Sequence, residues 1–89
     1  MRRLQWADLD TMGRVAAQIV ELAARYGGPT AAGIAVSLPF SQTEFAAWVG
    51  VSRTGVAHAL QSMRQLGWIA TQRRRMTVRD LDAVRARAR

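Results

Sequence analysis

At 89 residues, 49% of them hydrophobic and 7% aromatic, the chain is long enough for one small domain with a single core and too apolar to stay unfolded. Its net charge of +7 comes from 13 arginines, with no lysine, against six acids. An excess of that size points to an anionic partner, nucleic acid or a membrane surface, although arginine in place of lysine is also what a GC-rich coding sequence produces. The absence of cysteine excludes disulfides, thiolate zinc sites and cysteine-ligated iron–sulfur clusters within these residues. No apolar run is long enough for a signal core or a membrane span, so a soluble cytoplasmic protein without membrane association is expected.

Residues 1–10, "MRRLQWADLD", are compatible with a helix but carry no sustained period. From Thr11 the pattern sharpens: Val15, Ile19, Leu22 and Ala23 recur at helical spacing, with Asp10 or Thr11 as cap and Tyr26-Gly27-Gly28-Pro29 as the stop. "GGPTAAG" reads as a loop. "IAVSLPF" reads as a short strand that Pro39 confines to a sheet edge. Ser41-Gln42-Thr43-Glu44 is a capping box, opening a short helix to about residue 49 that offers Phe45, Ala46 and Val49 to the core. Gly50 breaks it, Val51 can plug the core, and Ser52 caps a further helix over residues 53–66 before Gly67. "WIATQ", "RRR" and "MTV" follow as strand, turn and strand, a hairpin with Arg73, Arg74 and Arg75 at its tip and no glycine or asparagine there. Asp80 caps a closing helix, "LDAVRARAR", short enough to fray. Nothing repeats and no linker intervenes, so residues 11–89 form one domain. The fold class expected is mostly α with a small β-hairpin wing, a winged helix-turn-helix.

The helix after Ser52 carries the functional signal. At about 100° per residue, Val56, Ala59, Leu60, Met63 and Leu66 fall in one sector, and Arg53, Thr54, Ala57, His58, Gln61 and Gln65 in the opposite one. One face docks and the other is free. The free face has side chains that read base edges: arginine pairs bidentately with guanine, threonine can meet a thymine methyl, and histidine a purine acceptor. Ala57 is small enough to allow close approach, and Gly55, costly in a helix, would admit a phosphate. Residues 53–89 hold nine of the 13 arginines and two acids, Asp80 and Asp82. An arginine-rich wing beside such a helix can press on phosphates or enter a minor groove. The plainer alternatives are an ordinary solvated helix face and a solubilising turn.

These segments resemble a known family. "LPFSQTEFAAWVGVSRTGVAHALQSMRQLGWI" is similar to the winged helix-turn-helix of the cyclic-AMP receptor protein / fumarate–nitrate reduction regulator (Crp-Fnr) family. That family's pattern appears as Leu38-Pro39-Phe40-Ser41-Gln42-Thr43-Glu44-Phe45-Ala46, then Gly50-Val51-Ser52-Arg53 with Val56, then Met63 through Gly67-Trp68-Ile69. "GRVAAQIVELAARYG" resembles its first domain helix and "MTVRDLDAVRARA" its closing strand and helix, so the likeness runs in order over about residues 11–88.

The resemblance implies a bacterial transcription regulator that binds double-stranded DNA, with residues 53–65 as recognition helix in the major groove. It implies that Arg53 reads a guanine and that Gln42 and Ser52 lie near phosphates. The residues themselves add Thr54, Ala57, His58 and Gln61 as candidates facing bases, and Ser41, Thr43, Gly55, Arg73, Arg74 and Arg75 as candidates along the backbone. The family often has glutamate where Thr54 stands, a hydroxyl residue where Gly55 stands and arginine where His58 stands, so its usual half-site does not carry over. Members also hold an effector barrel and a long dimerisation helix. Residues 1–10 look like the remnant of that helix or a linker, which implies a fragment, monomeric alone and a homodimer in a full-length protein, with a standalone relative as the other reading.

Other chemistries find little support. His58 is the only histidine and has no cysteine or nearby acid beside it, so no metal site is expected. No paired carboxylates, Ser-His-acid set or phosphate-cradling loop appears, so neither catalysis nor a cofactor is expected. Trp48 and Trp68 could stack on bases but more commonly fill a core, and Trp6 has no evident partner. Two other classes stay open: a winged-helix protein-interaction module touching RNA polymerase or another regulator, and a non-specific nucleic-acid or RNA binder.

Overall fold

The computed structural model describes residues 10–37, 42–50, 52–72 and 74–88; for Gln42, Thr43, Glu44 and Trp48 it describes the backbone only. The expectations for residues 1–9, Pro39, the Ser41 capping box, Val51 and Arg73 lie outside that description. Four helices and four strands follow one another among the described residues: α1 (Thr11–Tyr26), β1 (Gly28–Thr30), β2 (Gly33–Ser37), α2 (Gln42–Val49), α3 (Arg53–Gln65), β3 (Ile69–Gln72), β4 (Arg75–Val78) and α4 (Leu81–Arg87). The strands form one antiparallel sheet in the order β1-β2-β4-β3.

Three of the helices begin where the sequence supplies a cap. Asp10 accepts from the Gly13 N–H at 2.8 Å, Ser52 Oγ from the Gly55 N–H at 2.9 Å, and Asp80 from the Ala83 N–H at 3.0 Å. α2 ends at Gly50, whose φ of +84° is the left-handed backbone that turns the chain into α3. α3 ends in a Schellman motif: Gly67 has φ +79°, its N–H donates to the Arg64 carbonyl at 3.0 Å, and the Trp68 N–H donates to the Met63 carbonyl at 2.9 Å.

Val15, Ala16, Ile19 and Leu22 of α1 meet Phe45 and Ala46 of α2 and Val56, Leu60 and Met63 of α3 in one core. Val36, Ile69, Met76, Val78 and Val84 close it from the sheet and α4. Trp68 packs partly buried against it, in the filling role expected. The chain is therefore a winged helix, mostly α, with α2 and α3 as the helix-turn-helix and β3–β4 as the wing.

Three details depart from the sequence reading. "GGPTAAG" is not a plain loop: Gly28–Thr30 forms an edge strand, with Pro29 opposite Ile34, where a missing N–H is tolerated. β2, Gly33–Ser37, is consequently interior rather than an edge, lying between β1 and β4. Leu66 does not join the core. It is 57% exposed, because it is the residue at which α3 ends and the wheel that grouped it with Met63 no longer applies.

Candidate nucleic-acid interface

α3 lies on the core through Val56, Ala59, Leu60 and Met63, which leaves its opposite side to solvent. Ser52, Arg53, Thr54, His58 and Gln61 are exposed there, with Ala57 and Gly55 half-buried between them. This is the face expected from the sequence, and all five candidate base-reading residues stand on it. The first turn holds no acid. The Arg53 and Thr54 N–H groups have no intrahelical acceptor, so the end of α3 that bears Arg53 is also the positive end of its dipole.

The wing stands beside it. β3 and β4 pair from Ile69↔Val78 to Gln72↔Arg75, so the connection is only residues 73 and 74, and Arg75 belongs to the strand rather than the tip. Arg74, at φ +56°, is the sole described non-glycine residue with left-handed backbone. Both Arg74 and Arg75 are exposed. Among the other backbone candidates, Gln42 and Thr43 form the first turn of α2, with side chains outside the description, as are Ser41 and Arg73 altogether.

Gly55 has a structural reason of its own. A Cβ there would stand 3.1 Å from Thr11 Cγ2 and 3.2 Å from Ser52 Oγ, so the missing side chain faces the first residue of α1. His58 likewise borders a shallow cleft shared with Thr11, Met12, Gly55, Ala59 and Ser62.

Charge is sorted across the molecule. The ion pairs among the described residues are Arg25–Glu21, Arg85–Asp82 and Arg87–Asp10, all within or between α1 and α4 or at the Asp10 cap. Arg53, Arg64, Arg74, Arg75 and Arg79 make no ion pair with a described acid, and all five lie on α3, the wing or the residue just after it. The sequence shows the cause: residues 45–79 contain six arginines and no Asp or Glu. Unneutralised cations on one side of a small domain raise a positive potential there, which attracts polyanions.

Arg64 is a residue that the sequence reading does not place in the site. Its Nη1 donates to Thr71 Oγ1 on β3 at 3.1 Å, joining α3 to the wing. The helical wheel holds a signal for it, since Arg64 falls within about 20° of Arg53. Its partner, across a turn and a strand start, has no period to announce it. Among the described residues, no group of three or more metal-ligating side chains gathers, and no helix is long and apolar enough to cross a membrane.

Comparison with known proteins bears on the same segments. Residues 13–87 match the Crp-like helix-turn-helix domain. The CRP-like cAMP-activated global transcriptional regulator of Mycobacterium tuberculosis is 35% identical over 80 residues, covering 90% of this chain but 36% of the relative, so the chain spans about a third of that protein's length. Among solved structures, the CO-dependent transcription factor CooA from Carboxydothermus hydrogenoformans superposes with a TM-score of 0.86 at 23% identity, over 90% of this chain and 37% of its own. TTHB099, a CRP-family transcriptional regulator from Thermus thermophilus, gives a TM-score of 0.78 at 30% identity, over 89% and 40%. The CooA likeness speaks for the fold alone; the domain match, spanning nearly all the described residues, speaks for the family. With helix-turn-helix, wing and match coinciding, the chain belongs to the Crp-like helix-turn-helix domain family.

Proposed function

We propose that this domain binds double-stranded DNA in a sequence-specific way, as the DNA-binding module of a bacterial transcription regulator that acts in the cytoplasm. The observation that carries the reading is the acid-free face formed by α3 and the wing, on which Arg53, Arg74 and Arg75 stand exposed and without ion pairs among the described residues. α3 would enter the major groove by its N-terminal half. Arg53 would pair with guanine O6 and N7, Thr54 and His58 would contact neighbouring bases, and Ala57 and Gln61 would line the floor of the contact.

Ser52 and the wing arginines would follow the phosphates, with Ser41, Gln42, Thr43 and Arg73 as further backbone contacts. The half-buried Gly55, turned toward Thr11, would offer a phosphate little beyond the absence of bulk. One such module binds weakly and with a steep salt dependence, because counterion release dominates its affinity. Within a longer dimeric regulator, two copies would meet half-sites about 34 Å apart on a pseudo-palindrome.

An NMR titration tests this, with a short mixed-sequence DNA duplex in one arm and an RNA hairpin of equal charge in the other. Amide shifts concentrated at residues 52–61 and 74–75, at lower ligand concentration for DNA, are expected. Shifts spread over every arginine alike for both nucleic acids would reduce the domain to a non-specific cation. Silence with both would reject nucleic acid as the partner and turn attention to a protein ligand such as RNA polymerase.

A further inference from the structure

We propose that Arg64 and Thr71 form a positioning pair that fixes the wing relative to α3, and so sets the distance between bases met by Arg53 and phosphates met by Arg74 and Arg75. The inference rests on the DNA-binding reading, but the brace itself has a signature in the free protein.

Position on the two elements is the first argument. Arg64 stands on the free face of α3, three turns and about 16 Å beyond Arg53 along the axis. Thr71 shares its side of β3 with the buried Ile69, because side chains alternate along a strand, so its hydroxyl is turned toward the helix layer. The bond joining them, Arg64 Nη1 to Thr71 Oγ1 at 3.1 Å, spans the whole turn from the last turn of α3 to the middle of β3.

Chemistry is the second. Arg64 has no acid among its described ion-pair partners, and a lone exposed guanidinium gains nothing from folding unless something orients it. Threonine's oxygen accepts without neutralising the charge. The guanidinium is thus held and stays fully positive on the basic side of the molecule, where an aspartate at position 71 would cancel it.

Necessity is the third. Apart from the Schellman turn, β3 meets α3 through core contacts around Met63, Ile69 and Trp68 near the base of the hairpin, whereas β4 is held along its length by β2 and by Met76 in the core. Thr71 lies farther out, opposite Met76 in the β3–β4 pairing and next before the Gln72↔Arg75 pair that closes the tip. A brace at Thr71 ties the outer part of β3, the strand of the wing that β2 does not hold, directly to α3.

Thr71→Val removes the hydroxyl, keeps the β-branch and leaves every charge in place; Arg64→Ala removes the donor; Thr71→Ser restores the acceptor. In the free protein, Thr71→Val and Arg64→Ala are expected to speed amide exchange of residues 70–76 by roughly two- to tenfold, as loss of one such bond allows, with α1 unaffected. On a mixed-sequence duplex, Thr71→Val should weaken binding by roughly the same factor without changing the salt slope, the double variant should be no weaker than Arg64→Ala, and Thr71→Ser should recover wild-type binding. Unchanged wing exchange in Thr71→Val overturns the brace, as does multiplication of the two losses in the double variant. If the wild-type domain binds no duplex, the DNA-binding reading fails by itself and the exchange data alone decide the brace.

Discussion

Gly55 shows how one position can answer to two demands. In the third position of α3, alanine would be preferred by about 1 kcal/mol on helix propensity. Its Cβ, however, would press on Thr11 Cγ2 at 3.1 Å and on the Ser52 hydroxyl at 3.2 Å, the same oxygen that accepts from the Gly55 N–H at 2.9 Å. Clearing both contacts means turning or moving Thr11 and lengthening the cap bond, which combines part of a serine cap's worth of about 1 kcal/mol with overpacking of about 1–3 kcal/mol. Crowding wins, so Gly55→Ala should lower unfolding stability by about 1 kcal/mol in urea denaturation. Thr11→Ser deletes the nearer methyl. In that background the alanine should cost less than half as much, whereas an alanine that stabilises the parent domain would show the helices to be less closely seated. The sequence alone suggests room for a phosphate at this glycine; the packing of α1 against it supplies an intramolecular cause that helical spacing within α3 cannot reveal.

Among the elements, the wing is where conformation and charge pull apart. A two-residue connection between Gln72 and Arg75 asks for left-handed backbone, and Arg74 adopts it at φ +56°, at a cost of about 1 kcal/mol relative to glycine. Arg74→Gly should therefore raise stability by up to about 1 kcal/mol while reducing the salt slope of duplex binding by roughly one unit. Thermal melts and a salt titration on the same variant check both halves, and a slope equal to the parent's would remove Arg74 from the phosphates. The hairpin is legible from "WIATQ" and "MTV" without any turn glycine, since alternation and a basic tip suffice. α3 is legible for a stronger reason: cap, apolar sector and free sector all agree over 13 residues. The β1–β2 hairpin is not. Gly28 and Pro29 signal a break locally, and only pairing with β2, itself held by β4, makes them strand. Local chemistry announces helices and their caps, while the order of strands in a sheet depends on partners distant in sequence, as Ile34↔Val78 illustrates.

At the scale of the whole domain, Asp10 ties the beginning of α1 to the end of α4. One carboxylate oxygen accepts from the Gly13 N–H at 2.8 Å and the other from Arg87 Nη2 at 2.6 Å, a contact across 77 positions of sequence. The Arg87 guanidinium first, and the Gly13 N–H second, hold the Asp10 carboxyl below its ordinary value. A carboxyl whose pKa is lower in the folded than in the unfolded chain contributes stability that is complete above the unfolded value, about 3.9, and is lost as pH falls through the folded one. The side chains remain 59% and 34% exposed, so solvent screening keeps the ion pair's share under about 1 kcal/mol. Asparagine separates the two roles, because it caps a helix as well as aspartate does but brings no charge. Asp10→Asn should thus lie slightly below the parent at pH 7 and converge with it below about pH 4, as the parent's own carboxyl protonates. Asp10→Ala, which loses the cap as well, should stay about 1 kcal/mol below Asp10→Asn at both pH values. High salt should close the gap between parent and asparagine without touching that between asparagine and alanine. A parent–asparagine gap that persists in acid would mean that the carboxylate's charge toward Arg87 is not what joins the two ends, and packing between α1 and α4 would then carry the junction alone.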